Sequence, residues 1–317
     1  MKEKTMETTT LGKTGLESTR IGLGAQTVGG LGYGTQDFSQ SLPAVETYLK
    51  GGGRFIDTAR GYGVSEIYVG KALKNSGLPA ASVTVCSKSG NIHPPCTRAD
   101  LETSRFCLQR DYIDIYYVHV PPENTEQLDK ILDAYSIFKS KKLIRYVGLS
   151  CKKLNSNERI DEVYRWIEDP RTDVIQFPYN PLRPEIGSLI AAAADRGIGT
   201  VVRGTVAAGI MDDRIMPGHR FTDIDNDWRA KVDNAAMQEI IQIVQQIKQE
   251  LVTPPYAHVA QLSQKWALCS PGVDVIIGGG GCAEEVCALL DVDSLPPLPR
   301  HVRQRLEEMS KPIRHLL

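Results

Sequence analysis

The chain lacks most of the features that would send it to a membrane, a nucleic acid or a metal. Residues 1–10 (Met-Lys-Glu-Lys-Thr-Met-Glu-Thr-Thr-Thr) hold no apolar core, so no secretory signal is expected there. No apolar run is long enough to span a bilayer. Thirty-seven Lys and Arg against 38 Asp and Glu leave a net charge of −1, which argues against a nucleic-acid or anionic-membrane partner. The cysteines at 86, 96, 107, 151, 269, 282 and 287 are odd in number, scattered, and form no C-x-x-C pair. No metal site and no redox dithiol is therefore expected, and free thiols in a reducing cytoplasm are. Also missing is a G-x-G-x-x-G run that leaves the first strand and opens a helix; Gly22-Leu-Gly24 lacks that context.

What remains is a regular alternation of strand and helix signals. Thr8–Leu11 and Leu16–Arg20 flank Gly12-Lys13-Thr14-Gly15 and read as a hairpin. Further strands are expected to end near residues 24, 57, 88, 119, 149, 177, 203 and 277, with helical segments between most of them. The helix at 41–50 has Ser39 or Ser41 as its expected cap, Thr97 caps a helix running to about Arg110, and another helix spans Pro255–Ser270. Eight strands with interleaved helices predict a closed (β/α)8 TIM barrel with an N-terminal hairpin, and 317 residues suit one such domain over 1–317. The long insertion is 204–228, carrying Asp212, Asp213, His219 and Trp228; it reads equally as a lid or as a mobile surface loop.

The stretch around which the chain is organised is Gly51–Gly63, where a short strand ends at Asp57 and the chain turns through Gly61 and Gly63 into a helix. Lys88 follows Asp57 by 31 residues and His119 follows Lys88 by 31, each at a strand end. Tyr62 sits just past the first of these ends. Each residue has an ordinary alternative: a helix cap for Asp57, a solvated Lys88, a rim position for His119, a buried Tyr62. In a closed barrel, however, the four converge on one mouth. Phenol, ammonium, carboxylate and imidazole together suit proton transfer to a carbonyl oxygen. An ammonium lowers the pKa of a nearby phenol, a carboxylate holds the ammonium, and an imidazole orients the carbonyl. Such chemistry needs a hydride source, which implies a nicotinamide cofactor.

The segment Phe55-Ile-Asp57-Thr-Ala-Arg-Gly-Tyr62-Gly, with Ser87-Lys88, Asp111–His119, Arg145–Ser150 and Val174–Leu182, resembles the aldo-keto reductases, and the likeness runs from Leu11 to the glycines at 278–281. The flanks look most like the bacterial branch that often carries an iron–sulfur tail; the clustered cysteines of that tail are missing. The resemblance implies an NAD(P)-dependent oxidoreductase acting on a small aldehyde, ketone or alcohol. Tyr62 would be the general acid/base, Lys88 and Asp57 its tuning pair, and His119 the carbonyl orienter. Ser150 and Gln176 would hold the nicotinamide carboxamide.

Two positions depart from the family pattern. Arg203 stands where members commonly stack a tyrosine under the nicotinamide. At the eighth strand the usual basic clasp for a 2′-phosphate is replaced by Ile277-Gly-Gly279-Gly280-Gly281, leading into Glu285. Gly279, Gly280 and Gly281 can still cradle a pyrophosphate on backbone N–H groups, and Glu285 can keep an adenine contact. The resemblance favours NADP(H); the missing clasp weakens that preference against NAD(H). The alternatives are a cofactor-sensing binding or regulatory protein on a reductase scaffold, and a lyase or isomerase reusing the Tyr–Lys pair. The pocket is expected from residues 25–37, 91–96, 120–125 and 204–230, with Tyr33, His93, Tyr117 and Trp228 as candidate pocket residues against surface or core placement.

Overall fold

In a computed structural model that describes residues 5–34, 37–151 and 157–316, eight parallel strands close into a barrel. Strands β1 (Thr8–Thr10) and β2 (Glu17–Thr19) form the N-terminal antiparallel hairpin. The barrel then runs β3 (Ile21–Gly24), β4 (Phe55–Asp57), β5 (Thr84–Ser89), β6 (Ile113–Val118), β7 (Ile144–Ser150), β8 (Val174–Pro178), β9 (Gly199–Arg203) and β10 (Val275–Gly279), and β10 pairs with both β9 and β3. The expected strand ends agree with the observed ones to within two residues. Thr35 and Gln36, in a loop expected to wall the pocket, lie outside the described residues, as do the first four residues of the N-terminal segment.

Helices α1 (Ser41–Lys50), α2 (Ser65–Ser76), α3 (Pro94–Leu108), α4 (Thr125–Ser140), α5 (Asn157–Glu168), α6 (Gly187–Asp195), α7 (Asn234–Leu251), α8 (Val259–Leu268), α9 (Ala283–Asp291) and α10 (Arg300–Ser310) surround the barrel. Three expected boundaries differ. Gln40, not Ser39 or Ser41, holds the cap position of α1; Ser41 is already helical and its hydroxyl donates to the Val28 carbonyl, 2.9 Å away. Helix α3 begins at Pro94, whose fixed φ suits a first turn, so Thr97 lies inside and its hydroxyl donates back to the His93 and Pro94 carbonyls. Residues 255–258 remain outside α8, which starts at Val259 where the Asp213 carboxylate receives its N–H. Among the described residues no helix is long and apolar enough to cross a membrane.

Strand alternation divides the core in two. Outward residues such as Ile56, Val85, Tyr116, Val147 and Ile175 pack under the helices. Inward residues Phe55, Cys86, Ile115, Tyr117, Val174, Val201, Val275 and Ile277 fill the barrel, and Leu11 and Leu16 of the hairpin join them from below. The hairpin turn is fastened to the barrel floor: Lys13 N–H donates to the Gly197 carbonyl at 2.7 Å, and the Tyr146 hydroxyl to the Thr14 carbonyl at 2.5 Å. The largest ring in the interior, Tyr117, fits because its β7 neighbour is glycine. A Cβ on Gly148 would lie 2.3 Å from that ring. We expect Gly148→Ala to destabilise the protein by about 1–3 kcal/mol through overpacking. Adding Tyr117→Leu should recover much of that loss; urea unfolding of the single and double variants checks it, and a Gly148→Ala midpoint equal to wild type would contradict this packing.

Candidate active site

The inward alternation continues past the apolar layers to a polar one at the C-terminal mouth, where Asp57, Lys88, His119, Ser150, Gln176 and Arg203 come from the last three residues of consecutive strands or the residue just after. Lys88 is fully buried and Asp57 is 4% exposed. Lys88 Nζ is bonded to Asp57 Oδ1 and donates to the Thr58 carbonyl at 2.9 Å. Burial pushes the ammonium pKa down, but the Asp57 carboxylate, with a contribution from Tyr62, more than offsets it; the net direction is upward, and Lys88 is charged. The other Asp57 oxygen accepts from Gln176 Nε2 at 2.9 Å, and Gln176 Oε1 accepts from the Ser150 hydroxyl at 3.1 Å. One hydrogen-bonded row thus runs Ser150–Gln176–Asp57–Lys88 across four strands.

Tyr62 stands half-buried at the open end of that row. Lys88 Nζ lies 5.0 Å from its ring centroid, and the His119 ring meets it edge-on at 5.5 Å and 81°. The short loop from β4 that presents Tyr62 is held at both sides. Arg60 N–H donates to the Lys88 carbonyl, and its guanidinium pairs with buried Glu66, which also accepts from the Ser87 hydroxyl at 2.6 Å. The Gly29 backbone packs so tightly on the Tyr62 carbonyl that a Cβ there would lie 1.8 Å from it. The expected quartet is therefore assembled at one mouth.

The candidate pocket residues divide. Tyr117 is fully buried below Lys88, with Nζ 5.8 Å from its ring centroid, and His93 is exposed at the start of α3. Tyr33 lies within the field of the site: burial first, then the charges of Tyr62 and Asp227, raise its pKa against the opposing pull of Arg229 and Arg203. Its backbone bridges Asp227 in the 204–228 loop, and Trp228 N–H donates to the Gly32 carbonyl at 3.3 Å. The loop is also pinned at Asp213, which accepts from Val259 N–H at 2.8 Å and pairs with Lys248 at 3.0 Å. The two mouth loops are thus fastened to each other and to α7 and α8.

Arg203 reaches back over β8, its Nη2 donating to the Cys151 carbonyl at 2.6 Å. At the glycine turn, Gly279 faces open space, while Glu285 accepts from Gly281 N–H at 2.8 Å. A carboxylate already takes one N–H of the expected pyrophosphate cradle. Sequence reading missed this, as it missed the Thr58 carbonyl, the Arg60–Glu66–Ser87 brace and the pairing of the two loops. Core placement, the alternative weighed for Tyr117, is what the structure shows: it lies two residues before His119 and therefore on the same inward face.

The sequence profile of the aldo/keto reductase family matches residues 20–311. This chain belongs to the aldo/keto reductase family. It is 30% identical over 306 residues to the aldo-keto reductase YhdN of Bacillus subtilis, covering 90% of this chain and 88% of that one. It is 27% identical over 310 residues to the NADH-specific methylglyoxal reductase of Escherichia coli, covering 87% and 90%. Among solved structures, the barrel is similar to the glycerol dehydrogenase AKR11B4 of Gluconobacter oxydans, with a TM-score of 0.77 at 21% identity over 98% of this chain and 95% of that one. The aldo-keto reductase AKR11C1 of Bacillus halodurans gives 0.75 at 22% over 96% and 97%. These two likenesses concern the fold.

In this reductase the buried ion pair must matter for stability before it matters for chemistry. Lys88→Met leaves the Asp57 carboxylate buried beside an apolar chain and should cost about 3–5 kcal/mol. Lys88→Met with Asp57→Asn should recover a large part. Because the folded-state pKa of Lys88 is raised, its contribution is complete below the unfolded value of about 10.4 and is lost as pH rises through the folded value. The wild type should therefore keep its margin over the double variant across neutral pH and lose it only in alkali. Urea midpoints against pH measure this; a margin that falls between about pH 6 and 8 would contradict it.

Proposed function

We propose that this aldo/keto reductase transfers a hydride between a nicotinamide dinucleotide and a small aldehyde, ketone or alcohol, with Tyr62 as general acid/base. The observation that carries this reading is the placement of Tyr62 between a buried, charged Lys88 and the edge of His119. The residues fit the cofactor: Ser150 and Gln176 offer a hydroxyl and an amide at the same mouth, and Gly279 opens on unfilled space. When bound, the dinucleotide supplies or accepts the hydride.

The chain's own residues do the rest. Tyr62 gives its proton to the carbonyl oxygen, and the charge left on the phenol faces the Lys88 ammonium, which Asp57 keeps protonated. His119 holds the carbonyl oxygen against Tyr62. Ser150 and Gln176 hold a carboxamide, and through Asp57 the same row steadies Lys88. Arg203 stands beside the Ser150–Gln176 pair, and Gly279, Gly280, Gly281 and Glu285 line the path of the remaining dinucleotide. The function rests on one barrel domain, and seven free thiols suit a protein of the cytoplasm.

Tyr62→Phe removes one oxygen and should lower kcat by about 10²–10⁴-fold with cofactor affinity nearly unchanged. Lys88→Met, assayed well below its lowered melting point, should do comparable damage, and the pair should be little worse than either single change. Steady-state rates on an aldehyde panel check this. Near-full turnover by Tyr62→Phe would remove the phenol from the mechanism. A protein that merely senses the dinucleotide would bind it and leave every aldehyde untouched.

The choice of dinucleotide follows from the turn into α9, whose first helical turn carries Glu284 and Glu285 and no cation. A 2′-phosphate received there meets carboxylates, and Arg214, whose charge reaches Glu285, is already paired with Asp212. We expect both dinucleotides to bind, with NADP(H) preferred by less than about a hundredfold, equivalent to about 2.7 kcal/mol. Glu285→Gln should shift the balance toward the phosphorylated form. Titration of both cofactors decides; a larger NADP(H) preference in the wild type would mean that a basic residue elsewhere binds the phosphate.

A further inference from the structure

We infer that Glu66 is a positioning residue that sets the placement of Tyr62 against Lys88; the inference rests on the reading of Tyr62 as the acid. Glu66 lies in the first turn of α2 and is 1% exposed. A carboxylate so buried needs partners for its charge and its lone pairs. It has two, and they lead to different halves of the site. One oxygen pairs with the guanidinium of Arg60, two residues before Tyr62. The other accepts from the Ser87 hydroxyl at 2.6 Å, one residue before Lys88. A single buried group therefore grips both the loop that carries the phenol and the strand that carries the ammonium.

The other fastenings of the loop leave this one a distinct task. The loop's ends are tied to each other, the Thr58 and Ser65 hydroxyls lying 2.7 Å apart, and Ser65 Oγ donates to the Ala25 carbonyl at 2.7 Å. Its backbone meets β5 where Arg60 N–H donates to the Lys88 carbonyl at 3.0 Å. Gly29 presses on the Tyr62 carbonyl, whereas a Cβ on Gly61, the residue before the phenol, would meet nothing within 4 Å. The Arg60–Glu66 pair closes this stretch, because one partner precedes Tyr62 and the other follows it. Burial lowers the Arg60 pKa, and the bond to Glu66 with its charge more than offsets that, so the net direction is upward. Asp100 on α3 is another carboxylate whose charge reaches Arg60, but it already accepts from Ser89 and Asn91. With Glu66 neutral, the Arg60 side chain, 27% exposed, is left to Asp100 and to water.

The consequence falls on the acid and not on the cofactor. Tyr62 works from a ring held 5.0 Å from Lys88 Nζ and 5.5 Å from the His119 ring. A misplacement of about 1 Å in such a group costs up to about 10²-fold in rate. Ser150, Gln176 and the glycine turn, which the dinucleotide would use, come from β7, β8 and the end of β10, and none of them touches Glu66. Removing the Glu66 charge should therefore lower kcat and spare dinucleotide affinity.

The test asks whether Glu66 acts through Tyr62. Rates and dinucleotide dissociation constants are measured with NADH and NADPH, and with the aldehyde that the wild type reduces fastest. The variants are Glu66→Gln, Arg60→Lys, the pair Arg60→Gln with Glu66→Gln, Tyr62→Phe, and Tyr62→Phe with Glu66→Gln. Glu66→Gln keeps the volume and an acceptor for Ser87 and removes the charge. Its kcat should fall about ten- to a hundredfold with dinucleotide affinity within about twofold of wild type. The solvent deuterium isotope effect on kcat should grow, because proton transfer has become the slow step. Arg60→Lys should keep most of the rate, since a point charge can replace a guanidinium that makes one contact to Glu66. Should Glu66→Gln not fold, the paired variant, which leaves no buried unmatched charge, should show the same loss. In Tyr62→Phe the proton is already gone, so adding Glu66→Gln should lower the residual rate by less than about twofold. An equal loss in both backgrounds overturns the inference. So does a wild-type kcat in Glu66→Gln, or a rate loss matched by weakened dinucleotide binding. Should Tyr62→Phe itself turn over at near the wild-type rate, the proposed function fails and this inference with it, an outcome distinct from an inactive Tyr62→Phe beside a fully active Glu66→Gln.

Discussion

A lysine ammonium with no exposed surface sits at the top of the barrel interior, and the surrounding structure answers the requirements that this creates. An unpaired buried ammonium would lose its proton. Here it remains charged because Asp57 and the Thr58 carbonyl, both at the end of β4, accept from it. Those acceptors are brought to Lys88 only if β4 and β5 pair in the observed register, with Asp57 beside Cys86. Asp57 in turn needs its second oxygen satisfied, and Gln176 does this from the far side of the mouth. That contact joins residues 119 apart in sequence, so it depends on barrel closure and helps specify it. Below, the apolar layers and the hairpin keep water from entering through the floor. Above, Tyr62 is the first group on the open side that the buried charge can influence.

The polar layer was legible in sequence because it is a product of period-two alternation on a regular βα repeat. Asp57, Lys88 and His119 recur at intervals of 31 residues, and strands of a closed barrel lift such residues to one height. The errors fell where local chemistry offers equivalent choices. Ser39, Gln40 and Ser41 are all compatible with a helix start, and the Ser41 hydroxyl had a better acceptor in Val28, which no local pattern reveals. Pro94 outweighed Thr97 because a proline is already set for the first turn. At Glu285 the structure adds a contact the sequence did not suggest: one carboxylate oxygen accepts from the Gly281 N–H, as acidic residues in a first helical turn commonly do. The pairing of Tyr33 with Asp227 lay beyond sequence reading altogether: nearly two hundred residues separate them, and neither segment has a strand pattern.

The two departures from the family pattern lie at opposite ends of the proposed cofactor path and carry opposite charge. Arg203 adds a cation beside the Ser150–Gln176 pair. Glu284 and Glu285 place anions at the start of α9, where the helix dipole alone would attract a phosphate. Under the proposed function, the acidic turn bears on which dinucleotide is selected. Tyr62 faces the Lys88–Asp57 pair within the polar layer. On the proposed reading the acid depends on the Asp57–Lys88 pair, and the glycine turn after β10 can change its residues without dismantling that pair, so an intact Asp57–Tyr62–Lys88–His119 set can coexist with a turn that lacks a basic clasp.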